Sequence, residues 1–258
     1  MIIYKIVSKL YRCKNMIRNS FFRPTVIFFY HRVEKVNDDP HLLSVDPKNF
    51  EKQLLYLQDN FKIIRLMELV KNLKDGKLIR GSAVITFDDG YVDNLTNALP
   101  ILEKLKIPAT VFVTAGKIGS SGPFYWDEKT NKKDQGRAMT MAELKEFAKN
   151  PLIEIGAHTM THPNLATLTV EKQRYEIAES KKILENIIGT SITSFSYPFG
   201  GRGDFNDETM KMAEQAGFNV ACATIIGNVK NSSSLFAVPR RIVRNWDIST
   251  FRNYIKSL

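Results

Sequence analysis

Cysteine is scarce in this sequence, and its scarcity excludes several classes of small protein. Cys13 and Cys222 are the only two cysteines among 258 residues, and neither has a partner at the short spacing of a zinc knuckle or a redox pair. They offer no disulfide framework, which favours a reducing cytoplasm over an oxidising compartment.

The sequence also shows no sign of a division into several domains. It contains no Pro/Gly/Ser-rich linker, no low-complexity tract and no internal repeat. With 43% hydrophobic and 25% charged residues, it can bury a full-sized core and lacks the biases typical of disordered or fibrous chains. We expect one domain, over residues 25–258, in the size class of the α/β barrels.

The first 23 residues lack any acidic side chain and any long apolar run. Basic residues alternate there with apolar residues at roughly helical spacing, which predicts a basic amphipathic helix over residues 1–24. Lysine interrupts this segment too often for a membrane span, and the apolar core and cleavage site of a signal peptide are missing. The helix is expected either to close the bottom of the fold or to lie on an anionic membrane surface through residues 1–23; a mitochondrial presequence is the third alternative.

The formal net charge of +10 would suit nucleic acid, anionic lipid or an acidic glycan as a partner. Beyond the N-terminus the sequence has no interleaved aromatic and basic residues and no helix patterned to read bases, so we expect no nucleic-acid partner. Binding of a lipid-linked glycan at a membrane surface would explain both the charge and the amphipathic segment. The expected location is cytoplasmic, and peripheral attachment to the inner face of the membrane is left open.

Short apolar runs alternate with helical patterns from residue 25 onward. Strands are predicted at residues 25–30, 61–66, 82–87, 109–113, 153–155, 194–196, 218–223 and 237–243. Helices are predicted from 46–47 through 57, at 67–74, 94–105, 140–150, 169–188 and 207–215, and from about 249. This order predicts an α/β fold with a parallel sheet, most simply a closed or nearly closed barrel. A doubly wound open sheet is the alternative, but no glycine-rich phosphate turn follows the first strand.

Polar residues stand directly after four of the predicted strands. They are His31, the pair Asp88 and Asp89, the pair His158 and His162, and the turn at residues 198–200. Ligands of parallel α/β folds gather at the carboxyl ends of the strands. We therefore expect these four loops to converge on one site.

Two histidines four residues apart and a carboxylate from another loop can hold a metal ion with one position open for water. This pattern indicates a hydrolytic site. Asp88 and Asp89 are adjacent at a strand end, so one carboxylate can face the metal while the other faces the water. Each pattern alone has a simpler interpretation, since histidines occur at this spacing by chance and Asp-Gly is a common turn.

Two segments resemble the first and second motifs of the polysaccharide deacetylases, also called carbohydrate esterase family 4 or the NodB-homology domain. They are Thr86-Phe-Asp-Asp-Gly90 with Tyr91-Val-Asp-Asn94, and His158-Thr-Met-Thr-His162-Pro163. The resemblance extends from about Thr25 to the C-terminus and implies a distorted (β/α)7 barrel. It also implies Asp88 as the general base, and Asp89, His158 and His162 as ligands of a divalent metal, most often Zn²⁺.

A third segment, Tyr197-Pro-Phe-Gly200, resembles the third motif of that family, and implies that the Phe199 N–H helps to stabilise an oxyanion. Many members begin this motif with an arginine that orients the base, but Ser196 stands there in this chain. Arg240 or Arg241 is expected to replace it, unless both belong to a solvated basic edge. With this third motif and the early pair Tyr30-His31, the chain resembles the branch of the family that has a Tyr-Pro-Phe-Gly motif and an early Tyr-His.

The late histidine that serves as general acid in the family is absent, because no histidine follows His162. His31 is the candidate active-site residue in its place, against a core or substrate-contact role. Trp126, and with it Tyr125, is a candidate for stacking on a sugar, although aromatic residues in long loops also serve as packing anchors. Tyr197 and Arg241 complete the predicted substrate-binding set, and His41 is given no role.

The predicted activity is metal-dependent removal of N-acetyl groups from acetamido sugars of a bacterial surface polysaccharide or its lipid-linked precursor. A metal-dependent hydrolase of another amide or ester is the nearest alternative. An inert glycan-binding module of the same fold is the second, suggested by the missing arginine and late histidine. The intact set of metal ligands argues against that module.

Overall fold

A computed structural model describes residues 23–258, so the helix predicted for residues 1–24 lies almost entirely outside it. The strands are β1 Val26–Tyr30, β2 Lys62–Ile63, β3 Ser82–Phe87, β4 Ala109–Val113, β5 Ile153–Ala157, β6 Ser194–Ser196, β7 Val220–Cys222 and β8 Arg241–Ile242. The α-helices are α1 Pro47–Asn60, α2 Leu66–Lys74, α3 Leu99–Leu105, α4 Met141–Ala148, α5 Val170–Ile188, α6 Asp207–Gln215 and α7 Ile248–Lys256. Strands and helices alternate along most of the chain, as predicted.

The strands form one parallel sheet in the order β7-β6-β5-β4-β3-β1-β8, with β2 paired beside β3. The longer central strands β1, β3 and β4 are buried along their whole length. Their continuous apolar runs are therefore those of a sheet covered on both faces. The prediction of a parallel α/β fold is confirmed.

The sheet curls until its two edges are joined by a single segment of chain. Beside β7, the Ala221 N–H donates to the Leu235 carbonyl at 2.8 Å, and Val238 exchanges hydrogen bonds with Ala221 and Ala223 at 3.0 and 2.9 Å. The same segment continues into β8, which pairs with β1. The predicted strand at 237–243 is thus shared between the two edges and is regular only at its end, so the barrel is distorted.

Capping residues fix several helix ends close to where the sequence predicts them. The Asp46 side chain accepts from the Lys48 N–H, and Pro47 opens α1. Thr140 and Glu143 form the predicted capping box of α4. Gly189 ends α5 in the left-handed conformation at φ 74°.

The predicted helix at 94–105 divides into two parts. Residues Asn94–Ala98 form a π-helical turn, and a regular α-helix begins only at Leu99. π-helical turns are rare in proteins, and those that do occur are often found beside functional sites. Within residues 23–258 no helix is long and apolar enough to cross a membrane.

Candidate active site

A cleft of about 510 Å³ opens at the carboxyl ends of the strands. His31 follows β1, the two aspartates follow β3, His158 follows β5, and Phe199 lies in the loop after β6. All of these residues line the cleft, which is completed by Phe29, His41, Leu43, Tyr125, Trp126, His162, Thr224, Ile226, Ile242 and Arg244. The four predicted loops therefore do converge.

Three side chains in this cleft point their ligand atoms at one place. The Nε2 atoms of His158 and His162 lie 3.6 and 3.5 Å from Oδ1 of Asp89. All three side chains are buried, and their ligand atoms lie within 4.8 Å of one another. The structure thus brings together the three predicted metal ligands.

The surrounding hydrogen bonds leave these ligand atoms free for an ion. Nδ1 of His158 lies 2.7 Å from the carbonyl oxygen of Ser196, so the ring donates there and keeps Nε2 unprotonated. Oδ1 of Asp89 is buried and has no hydrogen-bond partner among the described residues. A buried carboxylate oxygen without a partner is costly, and a bound cation would remove that cost. The donor set and its geometry fit a divalent metal.

The backbone is held in unusual conformations at the same site. Asp89, Thr159, His162 and Phe199 all have positive φ, at 74°, 64°, 61° and 59°. Non-glycine residues rarely adopt this region, and such strain of about 1–3 kcal/mol per residue concentrates at active sites. Gly90 also has φ 80°, and a Cβ there would lie 3.1 Å from the Val113 side chain. The loops are therefore folded to aim their side chains.

Asp88 makes a two-pronged ion pair with Arg240. The guanidinium Nη1 and Nη2 atoms donate to its two carboxylate oxygens at 2.8 and 2.7 Å. Nη2 of Arg240 also donates to the Ser196 hydroxyl at 2.8 Å, and both charged side chains are buried. Arg240 therefore takes the place of the arginine that the third motif lacks, and Ser196 accepts from it.

Of the two candidate arginines, Arg241 does not reach the site, and the expectation that it binds substrate is wrong. Its Nε donates to Oδ1 of Asn228 at 2.9 Å, and it does not line the cleft. Successive residues of a strand point to opposite faces, so Arg240 and Arg241 cannot both face Asp88. The sequence left the choice open because the register of this short strand depends on tertiary pairing.

The two neighbouring aspartates have opposite acidities. The Arg240 guanidinium and its hydrogen bonds outweigh burial and lower the pKa of Asp88 to about 2. Burial, and after it the charge of Asp88, raises the pKa of Asp89 well above its usual value. Burial also lowers the pKa of both His158 and His162, so the ring nitrogens stay neutral. Asp88 is therefore ionised and able to accept a proton.

Glu176 on α5 braces the loop between the two histidines, a role for which the sequence shows no signal. One of its oxygens accepts from the Met160 and Thr161 N–H groups at 2.8 and 2.9 Å. The other oxygen accepts from the Thr161 hydroxyl at 2.7 Å. The Thr159 hydroxyl accepts a further hydrogen bond from the His162 N–H at 3.0 Å.

His31 lines the cleft, and its chemical role stays a prediction. Its ring packs edge-on against Phe29, with ring centroids 5.5 Å apart, and its carbonyl accepts from the Asn94 amide at 2.8 Å. Burial lowers its pKa to about 4. The imidazole is therefore neutral at neutral pH.

Aromatic rings form one wall of the cleft. The Trp126 ring packs against His162 with centroids 4.5 Å apart, and Tyr125 packs edge-on against Trp126. Nε1 of Trp126 donates to the Tyr91 hydroxyl at 2.7 Å, which in turn donates to Asp127 at the same distance. The long loop that carries Trp126 is thus tied to the first-motif segment at Tyr91.

Tyr197 does not belong to the substrate-binding set, and that prediction is wrong. Its ring is fully buried and stacks on Phe205 with centroids 4.1 Å apart. Its hydroxyl donates to the Phe236 carbonyl at 3.0 Å. Phe199, two residues further on, is half-exposed at the cleft, and the Thr224 hydroxyl donates to its carbonyl. The Phe199 N–H has no partner within residues 23–258.

Several cleft residues were missed because they approach from loops distant in sequence. His41 and Leu43 lie in the loop before α1, and Arg244 lies just beyond β8. Short polar loops carry little periodic signal, so only the assembled fold shows that they face the site.

Comparisons with known proteins agree with this geometry. The family profile described as "Polysaccharide deacetylase" matches residues 75–221. YxkH of Bacillus subtilis (strain 168), which carries the family's name, is 32% identical over 90% of this chain and 76% of its own length. A poly-β-1,6-N-acetyl-D-glucosamine N-deacetylase of Staphylococcus aureus (strain MRSA252) is 27% identical over 95% of this chain and 84% of its own.

The fold also matches solved structures. IcaB from Ammonifex degensii superposes with a TM-score of 0.75 at 21% identity, over 91% of this chain and 96% of that chain. The Streptococcus pyogenes deacetylase PplD gives a TM-score of 0.70 at 21% identity, with the same coverage. The distorted (β/α)7 barrel is confirmed, and this chain belongs to the polysaccharide deacetylase family.

Proposed function

We propose that the protein is a metal-dependent hydrolase that removes N-acetyl groups from acetamido sugars of a bacterial surface polysaccharide or its lipid-linked precursor. One observation carries the proposal: the Asp89, His158 and His162 ligand atoms converge in the cleft that the ionised Asp88 also lines. A metal site next to an independent base is the arrangement that hydrolysis of an amide requires.

Zn²⁺ is the proposed metal, held by Asp89, His158 and His162. Two imidazoles and one carboxylate are a common ligand set of catalytic zinc, which keeps a further position open. When bound, the ion would supply Lewis acidity to the acetamide and lower the pKa of water at the site.

The chain's own residues carry the proton transfers. Asp88 accepts the proton of the attacking water, and Arg240 keeps this carboxylate ionised and fixed in direction. The Phe199 N–H donates to the oxygen on which negative charge develops. Because its pKa is about 2, Asp88 readily returns the proton to the departing amine. His31 is the second candidate donor, although its lowered pKa favours Asp88.

The relatives support an acetamido polysaccharide as substrate. The Staphylococcus aureus relative is named for N-deacetylation of poly-β-1,6-N-acetyl-D-glucosamine. In this chain, Tyr125 and Trp126 offer rings at the cleft on which a sugar face could pack.

The test is acetate and free-amine release from N-acetylated oligosaccharides, polymeric and lipid-linked, with and without a chelator. We expect release that stops when the metal is removed and returns when Zn²⁺ is added. Release of O-linked acetate alone would favour an esterase instead. Absence of bound metal after Zn²⁺ loading would favour the inert glycan-binding module.

The association with an anionic membrane surface is a separate proposal that rests on the sequence of residues 1–23. Sedimentation with vesicles containing anionic lipid would test it, using the full chain and a chain lacking this segment. We expect the full chain to sediment and the shortened chain to stay in solution, with the difference reduced by salt. Equal partitioning of the two chains would contradict this role.

A further inference from the structure

Arg244 is a cation of the cleft wall that neither the proposed reaction nor the metal site uses. It lies two residues beyond β8 and lines the cleft. Within residues 23–258 it forms no ion pair with an acidic side chain. Its Nη1 atom donates to the carbonyl oxygens of His41 and Leu42 at 2.9 and 2.7 Å. These two bonds hold one corner of the guanidinium in place.

The other edge of the guanidinium is free. Nε and Nη2 of Arg244 have no hydrogen-bond partner within the part of the chain that the structure describes, and no carboxylate there lies within 4.0 Å of it. Arg240 is saturated by Asp88, and Arg241 is bonded to Asn228. Of these three arginines, Arg244 is the one that both lines the cleft and has donors to spare.

The charge of the cleft points in the same direction. Among the described residues that line it, Asp88 and Asp89 are the only acids, and Arg240 neutralises the first. A divalent ion would more than neutralise the second. With Arg244 added, the loaded cleft has an excess of positive charge and disfavours a cationic substrate.

We propose that Arg244 binds an oxyanion, either phosphate or carboxylate, which the glycan carries beside the acetamido sugar that reacts. The free Nε–Nη2 edge of a guanidinium matches the two oxygens of such a group. Leu43, Ile226 and Ile242 line the same cleft beside this free edge. This inference rests on the proposed function for the reacting sugar, but not for the anion site itself.

The anion has two chemical sources, and the experiment has one arm for each. A sugar 1-phosphate stands for the diphosphate end of a lipid-linked precursor, and a uronic acid stands for an acidic sugar within a polymer. Binding of N-acetylglucosamine 1-phosphate, glucuronic acid and neutral N-acetylglucosamine would be measured by calorimetry on metal-free protein, since a bound metal could itself attract phosphate.

We expect at least one of the two anions to bind more tightly than neutral N-acetylglucosamine, and Arg244→Gln to weaken it by about tenfold or more. Arg241→Gln is the matched control, because it removes a neighbouring cation that lies off the cleft. Arg244→Lys keeps the positive charge but cannot donate two parallel hydrogen bonds, so this variant should bind the anion with intermediate affinity. Equal binding of anionic and neutral sugars, or equal affinities in Arg244→Gln and Arg241→Gln, would overturn the proposal.

A kinetic measurement separates this proposal from the proposed function. In the Zn²⁺-loaded enzyme, the ratio of kcat/KM for an anionic to a neutral oligosaccharide should fall in Arg244→Gln and not in Arg241→Gln. A parallel loss on both substrates would show that Arg244 only anchors the loop at His41, and would overturn the anion site. If no substrate releases acetate, the proposed function fails while the calorimetry still decides the anion site.

Discussion

The base half and the metal half of the site differ in how each treats a buried aspartate. On the base half, Asp88 has a full set of partners: two bonds from Arg240, which is itself bonded to Ser196. On the metal half, Asp89 has an oxygen with no partner among the described residues. The difference shows that two adjacent carboxylates can be given separate tasks by their surroundings alone, one as an ionised proton acceptor and the other as an incomplete ligand.

The largest expected effect is the loss of the base without loss of the metal. Asp88→Asn keeps the shape of the side chain but cannot accept the proton of water, so we expect kcat to fall by about 10²–10⁴-fold. Metal content, measured by atomic absorption, should stay the same because Asp88 is not among the three converging ligands. Unchanged kcat would contradict the assignment of the base.

Arg240→Met would remove the cation that neutralises Asp88 on the base half and would leave this carboxylate buried without a paired charge. Breaking a buried pair in this way costs about 3–5 kcal/mol of unfolding free energy at neutral pH. Without Arg240, burial alone would raise the pKa of Asp88, so the acid limb of the pH–rate profile should move to higher pH.

The sign of the stability change with pH gives an independent check on Arg240→Met. In the wild type, the pKa of Asp88 lies below its usual 3.8, so this carboxyl stabilises the fold above that pH and loses the effect as the pH falls toward about 2. In the variant the order reverses, and the destabilisation should shrink as the pH falls toward 3.8. A difference between wild type and variant that is independent of pH in denaturant titrations would contradict this account.

Glu176→Ala would disturb the metal half while leaving all three ligands present. It removes the acceptors that hold Met160 and Thr161, so the two histidines should lose their fixed separation. Outer-sphere partners of this kind are worth about 10–100-fold in metal affinity, which competition with a chelator would measure. Glu176→Gln is the matched control, since its amide can keep the bonds if Thr161 reverses its hydroxyl. Equal affinities in the alanine and glutamine variants would contradict a bracing role.

The smallest effect is a pH dependence of metal binding that belongs to the metal half alone. Because the pKa of Asp89 is raised in the metal-free protein, binding must displace its proton wherever that carboxyl is protonated. The affinity should then rise with pH by up to about tenfold per pH unit and level off once Asp89 is ionised. Calorimetry in buffers of different ionisation enthalpy would count the released protons, and a count of zero throughout would contradict the raised pKa.

Sequence reasoning succeeded where a pattern has a local physical cause. The strand at Ser82–Phe87 and the helix end at Gly189 follow from an apolar run and a left-handed cap. A metal site of two histidines and an aspartate was predicted because parallel strands present their carboxyl ends together, while the choice of Asp89 as the ligand came from the resemblance to the polysaccharide deacetylases. These features need no knowledge of distant contacts.

The failures all depended on contacts between distant parts of the chain. Arg241 was preferred to Arg240 for the substrate-binding set because residue type alone does not fix the register of a two-residue strand. Tyr197 was placed at the substrate because a motif does not show which of its side chains turns into the core. The role of Glu176 could not be predicted from the sequence, since a glutamate within a helix usually belongs to a solvated face.

The ion pair at the base half also sets an order of events during synthesis. Asp88 and Arg240 stand 152 residues apart, and Arg240 reaches Asp88 from the segment that joins the two edges of the sheet. Asp89, His158 and His162 all emerge from the ribosome before Arg240 does. The growing chain therefore contains all three proposed metal ligands well before it contains the cation that keeps Asp88 ionised, so the proposed reaction has to wait until the segment that carries Arg240 is in place.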